Sequence, residues 1–220
     1  MFFKKSLALL LVFYILLGYA SWSAAAETNP DQKSKENKSK VFTLIATGAS
    51  SVQTLSSDFS QERHLSMLKE PLISTGKFAY EKPDHLYWEI EKPSPLGFLL
   101  QGDKGKRWSG NAKVTEPLEI NQEPMIRAIV EQVFAWTRAD FTWLEKRYRI
   151  SLMEETSHSL KLIPLSFQEK KFLTHITITF SEDWTRVRSV ELHEKGGDFT
   201  RLRFFNTLLN PSLPKDLFGK

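Results

Sequence analysis

The feature that most constrains this chain is a change of period along it. In His85-Leu86-Tyr87-Trp88-Glu89-Ile90-Glu91 the apolar side chains Leu86, Trp88 and Ile90 fall on every second residue, and over residues 72–80 the even positions are mostly apolar too. Period two puts one set of side chains on one face of a strand, so these segments read as strands with one apolar face. Lys82-Pro83-Asp84 is the turn between them. Elsewhere the period is helical. Val41, Leu44, Ile45, Gly48, Val52 and Leu55 predict a helix over residues 39–53, and Met125, Ile126, Ile129, Val130, Val133 and Phe134 predict another over 122–138. Further strand signals lie at residues 96–100, 106–110 and 114–120, then near Ile150, Leu162, Ile178 and Val190, and finally at 199–205 after Gly196-Gly197. No fixed-period repeat occurs. The order helix, strands, helix, strands points to one α+β domain on a large antiparallel sheet.

The first 26 residues read as an address rather than as fold. Lys4 and Lys5 precede an apolar run over residues 7–20, and Ser23, Ala24, Ala25 and Ala26 supply the small side chains that signal peptidase accepts. The run is shorter than the ~20 residues that cross a bilayer comfortably, so cleavage after Ala26 is expected, with a retained anchor as the alternative. The mature product is then expected in the periplasm or outside the cell. Residues 27–40 are polar and read as a flexible leader.

Composition narrows the chemistry. The chain has 220 residues, 41% hydrophobic and 25% charged, with 16 Phe, 6 Trp and 5 Tyr for a core, which is globular rather than disordered. Thirty basic and 26 acidic side chains give +4, and loss of Lys4 and Lys5 lowers it to about +2. So small an excess is no footprint of a nucleic-acid binder. Arg201-Leu202-Arg203-Phe204-Phe205 interleaves cations with aromatics, but alternation sends Leu202 and Phe204 inward and leaves the arginines solvated. The absence of cysteine excludes disulfides, thiolate nucleophiles and cysteine-ligated metals. His64, His85, His158, His175 and His193 are dispersed without ligand spacing, and no GxSxG, P-loop or GxGxxG motif is present. Asp58, Glu62 and His64 alternate on one strand, but acid–base catalysis needs a cleft and a positioned partner as well. The expectation is a protein that is not an enzyme and holds no cofactor or metal.

Residues 52–62, with Phe59 and Gln61 at their centre, resemble the opening of LolA-type lipoprotein carriers. The stretch Gly76-Lys77-Phe78-Ala79-Tyr80-Glu81-Lys82-Pro83-Asp84-His85-Leu86-Tyr87-Trp88-Glu89 is similar to that family's hallmark, G-x-[FL]-x-[YV]-x-[RK]-P-[DN]-x-[LF]-x-W. Leu99-Leu100-Gln101-Gly102-Asp103 with Trp108, and Thr200-Arg201-Leu202-Arg203-Phe204-Phe205-Asn206 with Asn210, Leu213 and Phe218, extend the likeness over residues 41–220. The resemblance implies an incomplete, half-open antiparallel β-barrel whose concave apolar face is covered by helices. It also implies a cavity that accepts acyl chains of a lipoprotein released from the inner membrane and carries them to an outer-membrane acceptor. Carried over residue by residue, it assigns Leu86 to the cavity and puts Lys82 where the family has a lid-closing arginine. Period and resemblance together add Phe59, Phe78, Tyr80, Trp88, Leu99, Ile129, Val133 and Phe134 as candidate acyl contacts, with residues 122–138 as the lid. The expected partners are an acylated lipoprotein or lipid, an inner-membrane transporter or exporter and an outer-membrane acceptor, the carrier itself being a monomer. The alternative is an interaction or sensor module of a lipid-export system with a filled half-barrel.

Overall fold

The computed structural model describes residues 30–110, 114–153, 158–214 and 216–218. Its contacts divide the chain into Met1–Glu36 and Asn37–Lys220, and the architecture below is that of the second unit. Helix α1 (Pro30–Ser50) leads into strand β1 (Thr54–His64), and five strands follow by short turns: β2 (Leu72–Glu81), β3 (His85–Lys92), β4 (Leu96–Gln101), β5 (Lys104–Ser109) and β6 (Val114–Glu119). Two helices, α2 (Pro124–Thr137) and α3 (Phe141–Arg147), separate these from β7 (Tyr148–Leu152), β8 (Ser159–Pro164), β9 (Leu173–Phe180), β10 (Val187–Glu194) and β11 (Phe199–Leu209). All eleven strands form one sheet in the order β6-β5-β4-β3-β2-β1-β11-β10-β9-β8-β7. The sheet is therefore two antiparallel meanders joined where β1 pairs with β11, Leu55 opposite Leu209 and His64 opposite Phe199. Among the described residues β6 and β7 do not pair with each other, so the sheet stays open.

Alternation divides the strands between two faces. Phe59, Phe78, Tyr80, Leu86 and Leu100 share the inner face of the first meander, and Val130 and Val133 of α2 pack on them. Leu160, Leu162, Ile176, Ile178 and Val190 share the inner face of the second, covered by Ile45 and Ala49 of α1 and by Leu144 of α3. Full burial of each large side chain is worth about 1.5–3 kcal/mol, so the helices stay on the sheet for the same reason that the strands have an apolar face. Gly76 makes room within the first cluster: a β-carbon there would stand 2.7 Å from Cζ of Phe59 and 1.9 Å from the Glu89 carbonyl oxygen. The helix expected over 39–53 begins at Pro30, inside the segment expected to be a flexible leader. That segment is rich in Lys, Glu and Gln, which favour helix where they have no competing turn to form. α3 had no periodic signal of its own. Asp140 starts it by accepting a hydrogen bond from the Trp143 backbone N–H at 2.9 Å.

The outer face carries the charges. Glu62 of β1 meets Arg201 and Arg203 of β11, and Arg201 reaches Glu191 of β10 at 2.7 Å. Beside this network four rings stack across four neighbouring strands. His64 lies on Phe199 (4.1 Å between centroids), Phe199 is 5.5 Å from His193, and His193 lies on His175 at 4.2 Å. Burial, together with the neighbouring His193 and Lys161, pushes the His175 imidazole below the ordinary histidine range, with Glu191 opposing. The hydrogen bond from His64, reinforced by Arg203, holds Glu62 below the ordinary carboxylate range. Burial pushes Glu191 up, but Arg201 and His193 outweigh it and hold that carboxyl low as well.

These directions fix the sign of the acid response. A histidine with a depressed folded pKa takes its proton later than in the unfolded chain, so stability falls once the pH drops below ~6.5, the ordinary histidine value. The two carboxylates add stability above their unfolded pKa that disappears as the pH falls through their folded values, a second and lower step. Urea unfolding followed by tryptophan fluorescence is expected to show both steps between pH 7.5 and 3. His175→Gln is expected to shrink the upper step and leave the lower one, and an unchanged upper step would remove His175 as its source.

Candidate functional site

Between the helices and the inner face the packing is incomplete. A cavity of about 430 Å³ lies there, within the usual range for small-molecule sites. Its roof is Ile45 and Ala49 from the end of α1 and Val52 just past it, with Ile129, Val133 and Trp136 from α2. Its floor runs across the join of the two meanders: Leu55 on β1, Phe78 on β2, Trp88 on β3, Leu96 and Phe98 on β4, Val187 and Leu192 on β10, and Leu202, Phe204 and Leu209 on β11. Ser57, Gln61, Gln132, Glu194 and Thr200 are among its few polar lining groups. Aromatic rings set the wall, with Trp88 4.5 Å from Phe59 and 5.7 Å from Phe78, and Phe204 6.1 Å from Phe78. The residues that form the cavity are apolar for the same reason as the core. They line a void because the curved sheet and two helices meet without enough side chain to fill the space between them.

The turn between β2 and β3 clasps both helices. Lys82 Nζ donates to the carbonyl oxygens of Ala49 at 3.1 Å and Ser50 at 3.0 Å, the last turn of α1. Carbonyls in a last turn lack the usual i+4 donor, Ala49 accepting only a longer bond from the Val52 N–H at 3.3 Å besides Lys82, and a cation there also meets the negative end of the helix dipole. The next residue, Pro83, accepts a hydrogen bond through its carbonyl from Arg138 at the end of α2, whose guanidinium lies 4.4 Å from the Phe134 ring. Asn210, just past β11, secures the α1–β1 link. Its Oδ1 accepts from the Gln53 N–H at 2.7 Å and its Nδ2 donates to the Ser51 carbonyl at 3.1 Å.

The candidates named from sequence divide into four groups. Phe78, Trp88, Ile129 and Val133 line the cavity. Phe59, Tyr80 and Leu86 face inward but are fully buried in the packed cluster beside it, and Phe134 packs there too, 6.0 Å from the Tyr80 ring. Leu99 lies on the outer face, packed with Ala79, Trp108 and Phe218, and is corrected accordingly. Lys82 holds the end of α1, bonding the carbonyl of Ala49, itself a lining residue, and that of Ser50. The misplacement of Leu99 has a plain cause. β4 is apolar on both faces, because the tail at Leu213, Leu217 and Phe218 covers the outer one, so a run such as Leu96-Gly97-Phe98-Leu99-Leu100 does not declare its parity. Glycine at 97 and glutamine at 101 mark the outer parity and would have singled out Leu96 and Phe98. The α1 contribution of Ile45, Ala49 and Val52 was visible as an apolar stripe, but nothing local said which surface it met.

The cavity offers little reactive chemistry and, among the described residues, a buried donor without an acceptor. Among the described residues there is no cluster of His, Asp and Glu able to hold a metal ion, and no helix long and apolar enough to cross a membrane. Trp136 Nε1 is buried without a hydrogen-bond acceptor, and so is the hydroxyl of Tyr80. An unmet donor beside an apolar void is a cost that an acceptor brought by a ligand would remove.

A helix-covered apolar cavity on the inner face of an unclosed antiparallel sheet defines an open-barrel architecture. Within it, the chain belongs to the LolA family: the family described as outer membrane lipoprotein carrier protein LolA matches residues 50–219. It is similar to the outer-membrane lipoprotein carrier protein of Dechloromonas aromatica (strain RCB), with 25% identity over 169 residues that make up 76% of each chain. Among solved structures it is similar to a LolA superfamily protein from Nitrosomonas europaea, with TM-score 0.42, 12% identity, and coverage of 83% of this chain and 97% of that one. It is also similar to the lipoprotein LppX of Mycobacterium tuberculosis, with TM-score 0.45, 11% identity, and coverage of 79% and 96%.

Replacing Lys82 tests the clasp. Lys82→Leu is expected to speed hydrogen exchange at residues 45–53 several-fold and to cost about 1 kcal/mol in global stability, whereas Lys82→Arg keeps the contact. Unchanged exchange in Lys82→Leu would show that apolar packing alone holds α1.

Proposed function

We propose that this chain is a carrier that takes the acyl chains of a lipoprotein, or of a related lipid, into the cavity under α1 and α2 and shuttles them through the periplasm without catalysis. The cavity itself is the observation that supports this reading, because a half-barrel serving as a docking module gains from a filled interior. A buried methylene is worth ~0.8 kcal/mol, so a sixteen-carbon chain leaving a membrane needs about 12 kcal/mol offset by its carrier. An apolar void roofed by α1 and α2 supplies that surface, and an ester or amide carbonyl on the cargo would satisfy Trp136 Nε1. Release requires a cover that reopens. The polar clasp at Lys82 and Pro83 is a small part of the energy holding the helices and is accessible to exchange with water.

In this reading Phe78, Trp88, Ile129 and Val133 touch the chain, Phe59, Tyr80, Leu86 and Phe134 shape the wall behind them, and Lys82 closes the cover. An inner-membrane transporter or exporter would load the carrier, and an outer-membrane acceptor would empty it. The segment over residues 1–26 lies outside the described residues, and its role as a cleaved signal belongs to the same proposal.

Native mass spectrometry of gently purified protein, followed by organic extraction, tests the reading. A retained lipoprotein or lipid is the expected result. Ile129→Glu is the matching variant: Ile129 is 52% exposed, so the fold tolerates the change, while a carboxylate at the cavity roof is expected to weaken acyl binding at least tenfold. Clean protein that also refuses an offered fatty acid would overturn the carrier reading in favour of a docking module.

A further inference from the structure

The sheet is split within its interior. β10 pairs with β9 from Val187 onward, opposite Phe180, but its pairing with β11 begins only at Ser189, opposite Arg203. Beyond that point β11 continues to Leu209 with β1 as its partner on one side and, among the described residues, no strand on the other. Irregularities accompany the parting: the β9–β10 register shifts between Val187 and Ser189, and the β1–β11 register shifts between Ser56 and Asp58, where Asn206 has φ 53°. Such bulges bend a strand out of its ladder. The tip of the β9–β10 hairpin leans instead on α1, where Gly48 leaves space for Thr185. A β-carbon at Gly48 would lie 3.3 Å from the Thr185 α-carbon.

The gap is a second cavity of about 510 Å³, lined by Arg188, Phe205 and Asn206 among others. It adjoins the apolar cavity, and Arg186, Val187, Phe204 and Thr207 line both. Its edge is also unguarded. Sheet edges open to solvent are normally blunted by charge or proline, and here the outer strands obey: β6 carries Glu116, Pro117 and Glu119, and β7 carries Arg149. Phe204-Phe205-Asn206-Thr207-Leu208-Leu209 has neither, and Phe205 and Leu208 are 45% and 59% exposed. Its one interruption is the bulge at Asn206, whose amide donates to Asp58 on β1 at 2.8 Å.

We propose that this split is a second binding site, in which the extended main chain following the acylated end of a cargo polypeptide adds as a strand to β11 between Phe204 and Leu209. The inference rests on the acyl-carrier reading and extends it: the lipid occupies the apolar cavity and the polypeptide leaves through the split. Six residues of strand edge offer ~20 Å of main-chain pairing. The Arg188 guanidinium, which makes no hydrogen bond or ion pair among the described residues, stands at the exit as a donor for peptide carbonyls. Arg186 is already in the field of Asp183, which Ser181 and Thr185 also hold.

The chain has no cysteine, so the split can be bridged selectively with Arg188→Cys/Asn206→Cys and a short bismaleimide. Palmitate and an eight-residue peptide carrying an N-terminal palmitoyl group are the two probes. Linking is expected to leave palmitate affinity unchanged and to weaken the acylated peptide at least tenfold relative to the unlinked double variant. In the unmodified protein, the acylated peptide and not palmitate is expected to slow amide exchange over residues 204–209. Equal affinity of the acylated peptide before and after linking, or exchange slowed equally by palmitate or by a lysophospholipid, would overturn the proposal. Failure of the unmodified protein to bind palmitate at all would instead overturn the carrier reading beneath it.

Discussion

Because among the described residues β6 and β7 do not meet, the inner face of the sheet has no opposite wall of its own, and its apolar side chains leave water by packing under the helices, chiefly α1 and α2. A closed barrel of this size would fill its interior with its own side chains or hold a small ligand there. An open one hands that task to helices, whose fit is set by a few apolar positions each. α1 and α3 cover the second meander, and α2 covers the first and reaches the second through Ala135. The unfilled space falls between the two covers, over the β1–β11 join. The cavity is thus a consequence of topology more than of any one residue.

The cover is held by two kinds of force with different reach. Apolar burial by Ile45, Ala49, Val130 and Val133 is strong but indifferent to position along the face. The contacts from Lys82 to the Ala49 and Ser50 carbonyls, and from Arg138 to Pro83, are weaker and directional, and they fix where each helix ends. Lysine at position 82 delivers a compact charge that turns freely among the carbonyls, where arginine would present a planar fork of donors. A cover fastened in this way keeps its register while its fastening exchanges readily with water.

Much of the scaffold was legible in the residues. Period two declared β2 and β3, and period 3.6 declared α2, because in each case large apolar side chains recur on one face while the other carries mostly small, polar or charged ones. Legibility failed where that contrast is lost. β4 is covered on both faces, so Leu99 was assigned to the cavity although it packs against the tail. Phe59, Tyr80 and Leu86 carry the inward parity of true lining residues, and only the positions of the helices decide which inward side chains are packed and which border a void. The contribution of β10 and β11 to the cavity depends on β1 meeting β11, a pairing between distant segments that no local pattern announces. α3, a single short stretch capped by Asp140, is too brief for a period to register.

The β1–β11 pairing also sets the order in which the chain can assemble. Leu55 belongs to the first strand and its partner Leu209 to the last residues of the sheet, so two meanders can form early from neighbouring segments while the seam between them waits for nearly the entire chain. Contacts so far apart in sequence are slow to form. Until they do, β1 presents a bare strand edge beside the apolar residues that later border the cavity, and the second meander presents another at β11. A nascent chain therefore passes through a stage in which its stickiest surfaces are complete before their mutual cover is. Aggregation at that stage competes with closure, and any holding factor that binds exposed strand edges would act on this intermediate rather than on the finished fold.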